Sequence, residues 1–224
     1  MRLLGLVVAS AFLLTACGGA TEELGQQATE VPATPVEVEL VDAGFGQQAE
    51  IAQGIAVVTT GDERAVGEFV TVSMNFLDAS GVIVGTTEQV EAFSWVEQHL
   101  VVPVWLDLSA TPGVEVVEVD TSVSLSDYGM GGDEVEPLEQ VSAREIRADR
   151  YGGTVAVFEL ANLADSDLTS ARIGVVCLDA SGAIIGGGSE FPNLMPAGKS
   201  IVVESMVLVS AEPATCVAHP NYGF

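Results

Sequence analysis

Apolar and polar residues alternate in two stretches of the chain that lie 101 positions apart. A period of two places the apolar side chains on one face of a β-strand. The pattern therefore predicts one half-buried strand in each stretch. The inward positions are Val70, Val72, Met74 and Phe76 in the first stretch and Ala171, Ile173, Val175 and Cys177 in the second.

Each of these strands runs into the same five residues, LDASG, at Leu77–Gly81 and at Leu178–Gly182, and a short apolar segment ending in glycine follows both times. Aspartate accepts hydrogen bonds from the backbone just downstream, and glycine supplies the positive φ that a tight turn needs. The segment DASG is therefore predicted to be a hairpin loop in both copies. Asp78 and Asp179 are interpreted as turn residues rather than catalytic ones.

The repeat extends further along the chain. Residues 100–108 and 201–209 alternate in the same way, and they end in the similar phrases SATP and SAEP. No stretch has the apolar spacing of a long amphipathic helix. The sequence thus predicts an all-β fold of two tandem antiparallel immunoglobulin-like β-sandwiches. Their predicted bounds are residues 37–123 and 146–224, with an acidic linker at residues 124–145.

The order of these elements resembles a known family. A strand, then Phe-Leu-Asp-Ala-Ser-Gly, then an apolar strand ending in glycine and a further extended strand are similar to the FxLYD domain, an immunoglobulin-like module. Asn162 fits an asparagine that this family often carries, whereas Leu77 and Leu178 stand where the family has tyrosine, and Cys177 replaces the usual phenylalanine. The resemblance implies a binding or spacer fold without a defined active site.

The N-terminus has the pattern of an export signal. Arg2 precedes an apolar run, Leu3–Leu14, that is too short to span a bilayer. Residues 14–17, Leu-Thr-Ala-Cys, resemble the lipobox of bacterial lipoproteins, which implies cleavage before Cys17 and lipid on its thiol. The alternative is a plain signal peptide with a chance cysteine. We expect a signal peptide at residues 1–16, a flexible tether at residues 17–36, and an exported protein anchored by lipid to a prokaryotic membrane.

Charge narrows the range of partners. The chain has 32 acidic and 7 basic residues, so a nucleic-acid partner is excluded, since phosphate contacts require clustered Lys and Arg. The linker carboxylates could collect a calcium ion, but their spacing is not that of an EF-hand loop, and a solvated acidic linker is favoured. No metal site and no cofactor are therefore predicted. These carboxylates belong to Asp127, Asp133, Glu134, Glu136 and Glu139.

Two cysteines remain after Cys17. Cys177 and Cys216 both fall in the second repeat of an exported protein, which favours a disulfide over the alternative of two buried free thiols.

Three arginines follow the linker closely: Arg144, Arg147 and Arg150. One hypothesis is that they dock the second repeat onto the acidic first repeat or onto the linker. The alternative is a solvated basic turn, because exposed ion pairs contribute little stability.

No catalytic constellation is present in the sequence. It lacks the nucleophile elbow, the zinc-protease helix, the phosphate loop and the dinucleotide fingerprint, and nothing in it brings His99 and His219 together. We therefore predict a non-enzymatic, lipid-anchored envelope protein that presents two immunoglobulin-like domains to a protein or polymer, or serves as an accessory part of an envelope complex. The alternative is an acidic, cation-binding or calcium-stabilised surface spacer. The oligomeric state is left open.

Overall fold

The computed structural model describes residues 35–126 and 135–222. Across this part of the chain the regular structure is almost entirely antiparallel β-strand, which confirms the predicted all-β class. The predicted signal peptide, Cys17 and nearly all of the predicted tether lie outside the described residues, as do Asp127, Asp133 and Glu134 of the predicted linker.

The first repeat is a sandwich of two three-stranded sheets. Their orders are β1-β2-β5 and β4-β3-β6. The inward residues of β3 predicted from the alternation, Val70, Val72, Met74 and Phe76, are all fully buried between the two sheets. The strands are β1 (Glu39–Gln48), β2 (Ile51–Thr59), β3 (Phe69–Leu77), β4 (Ile83–Ala92), β5 (Leu100–Asp107) and β6 (Glu118–Ser126).

The second repeat has the same strand pairs, but one seven-stranded sheet contains them all, in the order β7-β13-β10-β11-β12-β9-β8. The difference is the pairing of β11 with β12 through Gly186–Gly188. A Cβ on Gly186 would lie 2.0 Å from the Leu208 carbonyl oxygen, so only glycine allows this approach. The strands are β7 (Val141–Ser142), β8 (Glu145–Ala148), β9 (Thr154–Asn162), β10 (Ala171–Leu178), β11 (Ile184–Glu190), β12 (Lys199–Val209) and β13 (Thr215–Tyr222).

Both DASG segments form the predicted hairpin turn. Asp78 Oδ1 accepts hydrogen bonds from Ser80 N at 2.8 Å, Ser80 Oγ at 2.6 Å and Val82 N at 3.1 Å, and Asp179 repeats all three bonds in the second copy. Gly81 has a φ of 78° and Gly182 a φ of 89°. The hydrogen bonds from Ser80 and Val82 hold the pKa of Asp78 below its usual value. Both aspartates are therefore turn residues.

The predicted disulfide joins Cys177 to Cys216. The two residues face each other on the neighbouring strands β10 and β13, and both are fully buried in the core of the second repeat. In the first repeat Phe76 and Val119 occupy the facing positions of β3 and β6. The cross-link therefore belongs to the second repeat alone.

The two repeats pack together in one compact unit that begins at Pro35. The end of β6 and the short β7 fall inside the predicted linker, at residues 124–126 and 141–142. The exact bounds of the two repeats stay a prediction, since a continuous interface joins them.

Candidate functional site

The centre of the interface is apolar and closely packed. Ile55, Val57 and Val101 of the first repeat are buried against Val176 of the second. A Cβ on Gly174 would lie 2.6 Å from the Val101 Cβ. Two backbones therefore approach here because a side chain is missing, which is a common reason for glycine within a strand.

A buried ion pair closes one end of the interface. Glu91 of β4, only 1% exposed, pairs with Arg172 of β10. Gln89 Nε2 donates to Glu91 Oε1 at 3.1 Å, and the Arg172 guanidinium lies 5.0 Å from the centre of the Phe191 ring. Burial raises the pKa of Glu91, and the charge of Arg172 opposes that shift. The pair therefore links the repeats at a site with little water.

The arginines predicted to dock the repeats make other contacts. Arg144 pairs with Glu159 at 3.0 Å, and Arg147 pairs with Glu204 at 2.8 Å. Arg150 stacks on the ring of its neighbour Tyr151. These partners all belong to the second repeat, in whose sheet β8 pairs with β9 and β9 pairs with β12. A charged contact between the repeats comes instead from Arg172, which lies outside this arginine cluster.

Asn221 adds a hydrogen-bond network beside the ion pair. Its Oδ1 accepts from Ser94 Oγ at 2.6 Å and from Gln98 Nε2 at 2.8 Å, and its Nδ2 donates to the Ala92 carbonyl oxygen at 3.2 Å. Asn221 and Gln98 are buried. One side chain of β13 thus satisfies three groups around the β4–β5 connection, which fixes the orientation of the two repeats.

His219 also lies at this interface. Its Nδ1 is 3.1 Å from the carbonyl oxygen of His99, so the ring donates a hydrogen bond to the other repeat. No pattern in the sequence relates these two histidines, and the contact is made by the backbone of His99 rather than by its exposed ring. Burial lowers the pKa of His219 to about 4.

Acid is expected to weaken the fold through His219. A histidine whose folded pKa lies below its unfolded value of 6.5 contributes full stability above pH 6.5, and that contribution is lost as the pH falls toward about 4. This pKa difference corresponds to about 3 kcal/mol of unfolding free energy, and the actual loss should be below that figure because water still reaches part of the ring. Urea unfolding at pH 7.5 and at pH 4.5 should show that the free energy of unfolding falls more between these two pH values for the wild type than for His219→Gln. Equal losses would contradict this assignment.

A groove opens beside the interface, on the second repeat. Its cavity of about 240 Å³ lies between residues 136–139 and the turn that follows β9, and Tyr222 lines its floor. Leu163 on that turn is 71% exposed. Glu136, Glu139 and Glu159 also line it, so apolar and acidic residues share the lining of the groove.

Metal ligands do not cluster in the part of the chain that the structure describes, where no three His, Cys, Asp or Glu side chains lie close enough to hold an ion. In the same ranges, no helix is long and apolar enough to cross a membrane. The calcium-spacer alternative stays a prediction, and three of the five linker carboxylates lie outside the described residues.

Comparisons with known proteins leave the family open. No protein-family model matches the chain, and no curated protein matches it. Among solved structures, one match is an oxalate decarboxylase, from work on a structural element that modulates proton-coupled electron transfer. It is 9% identical over 84% of this chain and 75% of that one, with a TM-score of 0.16. A likeness at that level carries no functional argument.

Proposed function

We propose that this protein is a lipid-anchored envelope protein that presents two immunoglobulin-like repeats, fixed against each other, for non-catalytic binding. The observation that carries the proposal is the interface, where an apolar centre, the Glu91–Arg172 pair and the Asn221 network join the repeats. A fixed pair of repeats loses little conformational freedom when it binds, which favours affinity.

The N-terminal sequence supports the location. The lipobox ending at Cys17 would carry two acyl chains, enough for stable anchoring. The segment at residues 17–36, rich in Gly, Gln, Glu, Thr and Pro, would hold the folded repeats away from the lipid surface. Together, the lipid and the tether would keep the acidic pair of repeats close to the membrane.

The proposal is tested by crosslinking the full-length protein in its native envelope, in parallel with Cys17→Ser. We expect a protein or glycan to be enriched with the wild type and lost with the variant. The matched control is Ser80→Ala, a change in an exposed turn that leaves the lipidation signal intact. A wild-type protein that is lipidated and folded, yet enriches nothing, would contradict a binding role. Membrane association of Cys17→Ser equal to that of the wild type would contradict the lipid anchor.

A further inference from the structure

A buried asparagine holds the turn that forms one wall of the groove beside β9. Asn162 is 1% exposed; its Nδ2 donates to the carbonyl oxygens of Ser166 at 2.9 Å and Met195 at 2.8 Å, and its Oδ1 accepts from Ala164 N at 3.1 Å. These bonds fix the turn that carries Leu163. A large apolar side chain is thus exposed on an ordered turn, where it would lose little conformational freedom on binding.

The opposite wall is held in place as well. The Tyr222 hydroxyl donates to the Glu136 carbonyl oxygen at 3.1 Å, and its ring packs edge-on against Trp95 with the ring centres 6.2 Å apart. Burial and the nearby Glu136 carboxylate raise the pKa of Tyr222, in keeping with a glutamate that lies close to the groove floor. The segment with Pro137 and Leu138 is therefore anchored to β13.

The charges around the groove define its occupant. Arg144 pairs with Glu159, but no basic residue within 35–126 or 135–222 forms an ion pair with Glu136 or Glu139. A cavity of about 240 Å³ is smaller than the roughly 300–1,000 Å³ of small-molecule pockets, so it suits one apolar side chain. Two exposed carboxylates beside apolar lining residues complement a cationic polypeptide that carries an apolar side chain.

We propose that this groove binds a short peptide segment of a partner protein, with one apolar side chain in contact with Leu163 and Tyr222 and with Lys or Arg side chains paired with Glu136 and Glu139. The inference rests on the proposed binding function and assigns it a site and a ligand chemistry.

The test uses the full-length protein in non-ionic detergent and a fluorescein-labelled pentapeptide, Lys-Lys-Leu-Lys-Lys, followed by anisotropy at about 150 mM salt. We expect this peptide to bind at least about tenfold more tightly than Lys-Lys-Ser-Lys-Lys, a difference that corresponds to about 1.4 kcal/mol. Leu163→Ser should weaken binding of the leucine peptide about tenfold. The double variant Glu136→Gln, Glu139→Gln should weaken it and reduce its dependence on salt.

Matched controls separate the groove from the acidic surface in general. Val202→Ser removes another apolar residue, 59% exposed, and Glu118→Gln removes another exposed carboxylate; neither should change binding. Equal binding of the leucine and serine peptides, or unchanged binding by Leu163→Ser, would overturn the groove. If Leu163→Ser still captures the wild-type partners in the envelope, the groove inference fails and the proposed function stands. If the peptide binds the groove but the anchored protein captures nothing, the groove inference stands and the proposed function fails.

Discussion

Replacing Arg172 with alanine is expected to lower the free energy of unfolding by about 3 kcal/mol at pH 7. The change leaves the Glu91 carboxylate, 1% exposed, without its counter-charge at the interface. The figure is at the lower end for buried pairs because the Arg172 side chain is 19% exposed, so water already screens part of the interaction. Urea unfolding of the full-length protein measures the difference.

The pH dependence of this loss identifies its cause. Burial places the folded pKa of Glu91 above its usual value, so its protonated form is favoured in the fold, and removing Arg172 strengthens that preference. The loss of stability caused by Arg172→Ala should therefore be small below about pH 4.5 and grow as the pH rises toward 7.

A double variant, Glu91→Leu with Arg172→Met, should have a free energy of unfolding within about 1 kcal/mol of that of the wild type, since apolar pairs often replace buried ion pairs at little cost. A loss under about 0.5 kcal/mol for Arg172→Ala, the range of ordinary surface changes, would show that the pair does not hold the interface.

Reduction of the Cys177–Cys216 disulfide is expected to lower the free energy of unfolding even more, by about 4 kcal/mol. The two cysteines are separated by 39 positions, and chain-entropy treatments assign about this cost to opening such a loop in the unfolded state. Urea unfolding of the wild type with and without a reductant measures it without creating a cavity.

The control for this prediction is the double variant Cys177→Ala with Cys216→Ala. Its free energy of unfolding should be lowered by at least as much, and adding the reductant should not lower it further. Because the first repeat has no disulfide but packs on the second, signals from both repeats should shift to lower urea together. A reduced protein within about 1 kcal/mol of the oxidised one would contradict a stabilising role for the cross-link.

The strands and turns of both repeats were predictable because their signals are local. The alternation at residues 70–76 and 171–177 is a property of neighbouring residues, and so are the hydrogen bonds of Asp78 and Asp179. The duplication strengthened the prediction, since two copies of one pattern are unlikely to arise by chance. The disulfide followed from the burial of Cys177 and the compartment implied by the N-terminus.

The interface was not predictable in the same way, because its contacts join residues far apart in sequence. Glu91 and Arg172 are 81 positions apart, and no spacing relates them. The glycines within strands, such as Gly44 and Gly174, were the available signal, since a strand glycine often marks the close approach of another backbone. Two of the three clustered arginines, Arg144 and Arg147, pair with glutamates of their own repeat, because β8, β9 and β12 are neighbours in one sheet.

The groove was only partly visible in the sequence. The family resemblance points to Asn162, but the role of this residue in fixing the turn that carries Leu163 depends on the Met195 carbonyl oxygen, 33 positions away. The sequence distinguishes Glu136 and Glu139 by their charge alone. Their position beside an apolar cavity is a property of the fold.

The most direct test of the fixed arrangement of the repeats is a distance measured between them by pulsed electron spin resonance. Spin labels at Ala79→Cys and Ala180→Cys, in a Cys17→Ser background, mark the two exposed DASG turns, while the bonded Cys177 and Cys216 do not react. We predict a single narrow distance distribution, which should broaden in Gly174→Val because the new side chain would collide with Val101. A broad distribution in the otherwise wild-type protein would contradict a fixed pair of repeats.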